Sequence, residues 1–96
     1  MQKQPESGQL FQHTDGGYYR YLDMARHADD QAVHVRYEHL WPFETGMPWL
    51  RRVEEWEGRF KPVDEAQLQE AMKQDRTEAQ EAVARAKAAR RAAREA

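Results

Sequence analysis

The residues best suited to bind a ligand are Trp49 and Arg51, which follow a loop rich in proline and glycine. Residues two apart on a strand point the same way, so an indole and a guanidinium would share one surface. Such a pair can stack on a planar group and donate hydrogen bonds to a phosphate, a carboxylate or a base edge. The sequence predicts a binding site here. The alternative is a buried Trp49 that Arg51 crosses to reach Glu38 or Glu54.

Aromatic residues are numerous for a module of about 55 residues, and most of them must form its core. The strand pattern cannot bury all of them, so one or two can line a groove that stacks a base or holds a peptide. Core packing alone is the alternative. The residues predicted to bind are Trp49, Arg51, Tyr37, Arg36 and Trp41.

A basic stripe near the C-terminus is a second candidate surface. At helical spacing its members share one face, and they are Lys87, Arg90, Arg91 and Arg94. An alanine stripe lies opposite and is too small to anchor in lipid, so we expect no membrane helix. The basic stripe suits phosphate contacts and the alanine stripe suits packing with another helix. The third reading is a solvated tail whose charges compensate its own helix dipole.

The sequence gives little support for a metal site or for nucleophilic catalysis. His34 and His39 face opposite ways if they share a strand, and His13 and His27 fall in separate strands. Cysteine is absent, and the only serine, Ser7, lies in a polar N-terminal segment without a catalytic motif. We therefore predict no metal site, no cofactor and no enzymatic activity.

The segment from Ala32 to Trp41 organises the strands that must position these residues. Its alternation predicts an antiparallel strand with one buried face, formed by Val33, Val35, Tyr37 and Trp41. We predict further strands at Leu10–Thr14, Tyr18–His27 and Arg59–Lys61, with a hairpin turn at Asp15–Gly17.

Two smaller features refine this sheet. The apolar parity of the second strand changes between Tyr21 and Leu22, which predicts a bulge near Leu22–Asp23. Trp49–Leu50 reads as a strand end that passes into one or two helical turns, which Gly58 ends.

A long helix is predicted from Asp64 to the C-terminus, because Asp64 and Gln67 form a capping-box pattern and no Gly or Pro follows. Only Leu68, Met72 and Val83 are large and apolar there. We expect the first turns to dock on the sheet and the rest to project into solvent. A chain ending at Ala79 should then melt within a few degrees of the full chain.

The 96 residues suit one domain, with a flexible lead-in at 1–8, a small β module at 9–63 and the helix at 64–96. The fold class is mainly β, or α+β by content: a small SH3-like barrel or bent antiparallel sheet followed by a long C-terminal α-helix. The net charge of −2 is too small to identify a partner. No apolar run approaches a membrane span and the N-terminus lacks a signal-peptide core, so we expect a cytoplasmic protein.

Over roughly residues 9–63 the chain resembles a bacterial family catalogued as domain of unknown function 1653. The positions that match its motifs are His13, Gly16, Tyr37, Trp49 and Arg51. The departures are Asp15, Arg52 and Trp56, where the family tends to have Lys, Pro and Phe. The resemblance implies the module and carries no activity with it.

Together these patterns predict a non-enzymatic binding module, with nucleic acid ahead of a peptide as ligand. The alternative is a protein-interaction adaptor that binds a peptide or a partner helix. Salt dependence separates them, because phosphate contacts give a steep slope and an aromatic peptide groove gives a shallow one. The pattern leaves the oligomeric state open.

Overall fold

Five strands form one antiparallel sheet in the computed structural model, which describes residues 5–95. The strands are β1 (Leu10–His13), β2 (Tyr18–Arg26), β3 (Val33–His39), β4 (Trp49–Arg52) and β5 (Phe60–Val63). Their order is β4-β3-β2-β1-β5, so β4 and β5 are the two edges. The sheet is not closed. Of the two architectures that the sequence allowed, the bent antiparallel sheet is therefore the one found.

β3 buries two of the four residues that its alternation predicted, whereas Val33 is half-buried and Trp41 is half-buried beyond the end of the strand. Val35 has no exposed surface and Tyr37 is 3% exposed, whereas Arg36 between them faces the other side of the sheet. The face that carries Val35 and Tyr37 is called the inner face below. Of the lead-in predicted at 1–8, residues 1–4 lie outside the described part. Within the remainder, the N–H of Gly8 donates to the carbonyl of Tyr21 at 2.8 Å.

The predicted bulge in β2 is confirmed. Tyr21 pairs with Tyr37, but the register then shifts so that Asp23 pairs with Arg36 and Met24 with Val35. The extra residue reverses the parity of the strand, and Tyr21 and Met24 consequently both face the inner side.

Aromatic rings fill the inner face. The buried cluster consists of Phe11, Tyr19, Tyr21, Val35, Tyr37, Trp56 and Phe60. Trp56 comes from the short helix α1 (Val53–Trp56), which follows β4 directly, and its ring stacks on that of Phe60 with centroids 3.8 Å apart. Gly58 ends this segment with a φ of 79°, a value that glycine adopts without strain. The predicted passage from strand to helix is confirmed.

The C-terminal region forms two helices where the sequence predicted one: α2 (Glu65–Ala71) and α3 (Arg76–Glu95). The predicted capping box at the start of α2 is confirmed, with hydrogen bonds of 2.8 and 2.9 Å between Asp64 and Gln67. The break after α2 lacks Gly and Pro, so composition gave no warning of it. Asp75 ends the break, because its carboxylate accepts a hydrogen bond from the N–H of Glu78 at 2.9 Å and so caps α3.

The break lets α3 fold back, so the expectation of a projecting tail is wrong. Val83 is only 4% exposed. The side chains of Gln80 and Arg76 donate to the carbonyl of Pro42 at 2.8 and 3.3 Å. Burial of one valine and two contacts to a loop carbonyl hold the helix against the β module. Among the described residues, no helix combines the length and apolar character that crossing a membrane requires.

Candidate functional site: a cleft under α3

A cleft of about 680 Å³ separates the loop that precedes β4 from α3. His39, Phe43, Met47 and Trp49 form the wall on the side of the sheet. Val83 and Lys87 of α3 are among the residues opposite them. The wall is mainly aromatic and apolar with a few polar groups, which is the usual composition of a small-molecule or side-chain binding site.

Trp49 is the most accessible ring of this cleft. It begins the edge strand β4, where it pairs with Tyr37, and 55% of its surface is exposed. Its indole stacks on the imidazole of His39, with centroids 4.7 Å apart and planes 5° from parallel. His39 therefore fixes the orientation of an aromatic surface that stays open to solvent.

His39 is held in its neutral form. Its pKa is lowered to about 4, chiefly by burial and also by the nearby charges of Lys87 and Arg51, against the opposing effect of Asp15. At neutral pH the stacked pair is thus uncharged.

Lys87 brings a positive charge to the α3 side of the cleft. Its Nζ lies 5.4 Å from the ring centroid of Phe43, within the range of a cation–π contact. Arg91 and Arg94 lie one and two turns further along α3 and are exposed. A cationic edge therefore runs from the cleft along the helix. The one carboxylate in the lining belongs to Glu44.

The five residues that the sequence grouped as binding residues do not share one surface. Tyr37 lies in the core. Arg36 is on the outer face, where its guanidinium forms two hydrogen bonds with Asp23 at 2.6 and 2.9 Å. Trp41 lines a separate hollow with Met72. Only Trp49 lines the cleft.

Arg51 shares the parity of Trp49, as predicted, but its side chain turns into the core. The guanidinium carbon lies 5.8 Å from the ring centroid of Phe60, and Nη1 lies 3.4 Å from an oxygen of Glu55. The carboxylate partner is thus neither Glu38 nor Glu54. The Nε of Arg51 is buried without a hydrogen-bond partner among the described residues.

Sequence reasoning missed His39, Phe43 and Lys87 as members of one site. His39 has the parity of Tyr37, so alternation along β3 places it on the inner face. Lys87 was part of the basic stripe. Nothing local indicates that α3 crosses the end of the sheet and brings Lys87 to Phe43.

A second polar cluster lies under the C-terminal half of α3. His13 Nδ1 is 3.1 Å from the carboxylate of Asp15, and Nε2 is 3.4 Å from Nη1 of Arg90. The backbone N–H of Asp15 also donates to Nδ1, at 3.0 Å, so this nitrogen contacts both the backbone and the carboxylate of Asp15. Both His13 and Asp15 are buried.

The surroundings of Asp15 favour its ionised form. Desolvation raises its pKa, but hydrogen bonds from His13 and the N–H of Gly17 and the charges of His13 and Lys87 outweigh it, so the pKa is lowered. Tyr19, buried beside this carboxylate, has a raised pKa, chiefly through desolvation. The described residues include no group of three or more His, Asp or Glu side chains arranged to hold a metal ion.

The sheet and its aromatic cleft define a small α+β module. A family model matches residues 9–69, which is more than half of the chain, and the chain belongs to that family, described as protein of unknown function (DUF1653). No curated protein and no solved structure is significantly similar to the chain. The matched segment includes His39, Phe43 and Trp49 but ends before Lys87, so α3 adds its part of the cleft from outside it.

Proposed function

We propose that the protein is a non-enzymatic binding module for single-stranded nucleic acid, and that the cleft under α3 takes a base. The observation that carries the proposal is the exposed indole of Trp49, held by His39 in a cleft with a lysine on its opposite side. Bases stack on exposed aromatic rings whatever their sequence, and each such stack contributes about 1–3 kcal/mol.

The charge distribution supports a single strand over a duplex. With a base on Trp49, the adjoining phosphate comes to the side of Lys87, and Arg91 and Arg94 continue along α3 for the next phosphates. Glu44 can accept a hydrogen bond from a base amino group.

Binding of a fluorescein-labelled oligothymidylate of about 12 nucleotides, followed by fluorescence anisotropy, tests the proposal. Trp49→Ala should weaken binding about tenfold, since one stacked base is lost. Leu50→Ala is the matched control, because Leu50 is the next residue, is also 57% exposed and faces away from the cleft. Absence of binding, or equal binding by the Trp49→Ala variant, would contradict the proposal.

Salt dependence is the second readout. About three phosphate contacts give a slope of roughly −2 for log K against log salt on a single strand. Arg91→Gln and Arg94→Gln should each make that slope shallower and leave the stacking contribution intact.

One observation favours the alternative, a protein-interaction adaptor. Met47 and Leu50 are 86% and 57% exposed and flank Trp49 at the free edge β4. A partner that adds a strand to this edge would bury them. In that case Leu50→Ala would weaken partner binding as much as Trp49→Ala, and binding would change little with salt.

A further inference from the structure

A second hollow, of about 450 Å³, lies where β1 pairs with the other edge strand, β5, and it shares no lining residue with the cleft. Five polar residues line this hollow. His13 is buried and paired with Asp15, and the other four are Gln12, Thr14, Arg59 and Lys61. Gln12 is the cross-strand partner of Lys61, and the N–H of Thr14 donates to the carbonyl of Arg59 at 2.9 Å. Because opposite residues and residues two apart share one face of a ladder, these side chains form one patch.

The charge of this patch is not balanced. In the part of the chain that the structure describes, neither Arg59 nor Lys61 has a carboxylate oxygen within 4.0 Å. Among the described arginines of the strands, Arg20, Arg36, Arg51 and Arg52 have such a partner and Arg26 does not. Arg59 directly precedes β5 and Lys61 lies in it. Two cations on one face of a strand pair repel each other, so an anion between them would be stabilised.

We propose that this patch binds the dianionic phosphate group of a small phosphate monoester. Arg59 can donate two parallel hydrogen bonds to phosphate oxygens, and Lys61 adds a second charge on the same side. The Thr14 hydroxyl and the Gln12 amide supply neutral donors for the third oxygen. Two positive charges match the charge of nearly −2 that a monoester carries at neutral pH.

The shape of the hollow leaves room for the rest of such a molecule. Gly16 and Gly58 line it without side chains, and no atom lies within 4 Å of the position that a Cβ would take at either residue. A phosphate diester carries a single charge and two bulky substituents, so the patch should discriminate against it. A carboxylate offers one charge and two oxygens to four donor groups, and is the poorer match.

The experiment is a titration of the full chain with methyl phosphate, followed by the backbone amide signals of Thr14, Arg59 and Lys61 in ¹H–¹⁵N NMR spectra. We expect saturable shifts at these amides near pH 7.5, with binding about fourfold weaker near pH 5.5, where a second pKa of about 6 leaves roughly a quarter of the ester dianionic. Dimethyl phosphate should bind at least tenfold more weakly at both pH values. Sulfate, a dianion throughout, should bind equally at both.

Variants separate this site from general attraction to a positive surface. Arg59→Gln and Lys61→Gln should each weaken methyl phosphate binding about tenfold or more. Lys73→Gln is the control, since it removes an exposed cation that lies in the turn after α2 and pairs with Glu70. Trp49→Ala should leave this binding unchanged, so failure here and failure of the nucleic-acid proposal are distinguishable.

Three results would overturn the inference. The first is the absence of saturable shifts at the three amides with methyl phosphate near pH 7.5. The second is equal affinity for methyl and dimethyl phosphate. The third is affinity that survives in both the Arg59→Gln and the Lys61→Gln variants. Unchanged amide signals away from β1 and β5 show that each variant is folded.

Discussion

Two of the places where α3 meets the β module differ in whether the histidine there is paired with a carboxylate. At Arg90 the helix meets His13, which is paired with the buried Asp15. At Lys87 it meets Phe43 and the open cleft, where His39 stacks on Trp49 and is paired with no acid among the described residues. Both histidines are aromatic neighbours of Tyr19.

The difference indicates what each cation does. Arg90 contacts a histidine that is paired with a buried acid, and so completes a network that fixes α3 on the sheet. The charge of Lys87 also acts on Asp15, but among the described residues no carboxylate oxygen lies within 4.0 Å of its ammonium, so it can still pair with a ligand. Two residues less than one turn apart on α3 therefore differ, with Arg90 in a structural contact and Lys87 at the proposed binding surface.

The largest effect is expected when the contacts of Lys87 and Arg90 are removed together. A chain ending at Ala79 loses Val83, Lys87 and Arg90 together with the hydrogen bond from Gln80 to Pro42. We expect the free energy of unfolding to fall by about 3 kcal/mol, from one buried valine and several polar contacts. The melting temperature would then drop by roughly 15 °C.

A chain ending at Arg91 is the matched control, because it keeps all of these contacts and should melt close to the full chain. Thermal unfolding followed by circular dichroism measures both. A chain ending at Ala79 that melts within a few degrees of the full chain would restore the sequence expectation of a dispensable tail.

The next test disrupts only the network of Asp15, His13 and Arg90. Asp15→Asn removes the charged acceptor of His13 and of the Gly17 N–H, at a cost of about 2 kcal/mol. Because the pKa of Asp15 is lowered from 3.8 in the folded protein, its contribution is present above that value and is lost as the pH falls through the lowered pKa.

Urea unfolding at neutral pH and below about pH 4 checks this. The variant should lose part of the acid-induced destabilisation that the original chain shows. Asp23→Asn is the control, since it removes an acid from an exposed ion pair with Arg36 and should change stability far less. Equal effects of the two substitutions would mean that the buried network adds nothing.

The smallest effect is expected at His39 in the cleft, and it falls in a different pH range. The folded pKa of His39 is about 4 against an ordinary 6.5, so between these values the unfolded chain binds the proton first. Stability should therefore decline as the pH falls from about 6.5 to 4, and His39→Gln should flatten that part of the profile.

NMR titration of the imidazole signals measures the pKa directly. In a Lys87→Gln variant the pKa of His39 should rise, because a nearby positive charge is removed. A His39 that titrates near its ordinary value would show that the cleft is hydrated enough to accept the charge.

Much of the fold was predictable because its signals are local. Alternation along β3 identified Val35 and Tyr37 as buried, and a change of parity located the bulge in β2. Asp64 and Gln67 form both hydrogen bonds of the predicted capping box. Each of these follows from residues a few positions apart, whose relative geometry the backbone sets by itself.

The candidate site was predictable only in part. Trp49 was identified by its position after the loop and is exposed in the cleft. Arg51 has the predicted parity, yet it reaches Phe60 and Glu55 in the core, because a long side chain follows the nearest aromatic face and carboxylate. The position of a residue in a strand sets the direction of its Cβ, but the rotatable bonds of an arginine let its guanidinium point elsewhere.

The sequence by itself determined the strands, the bulge, the capped start of α2 and the helical character of the tail, since periodicity and capping act within a few residues. Only the tertiary structure decided that α3 turns back at Asp75 and that Lys87 and Arg90 meet opposite surroundings. Those outcomes depend on contacts such as Gln80 with Pro42 and Arg90 with His13, which join residues 38 and 77 positions apart. No local sequence pattern indicates which residues far apart in the chain will form such contacts.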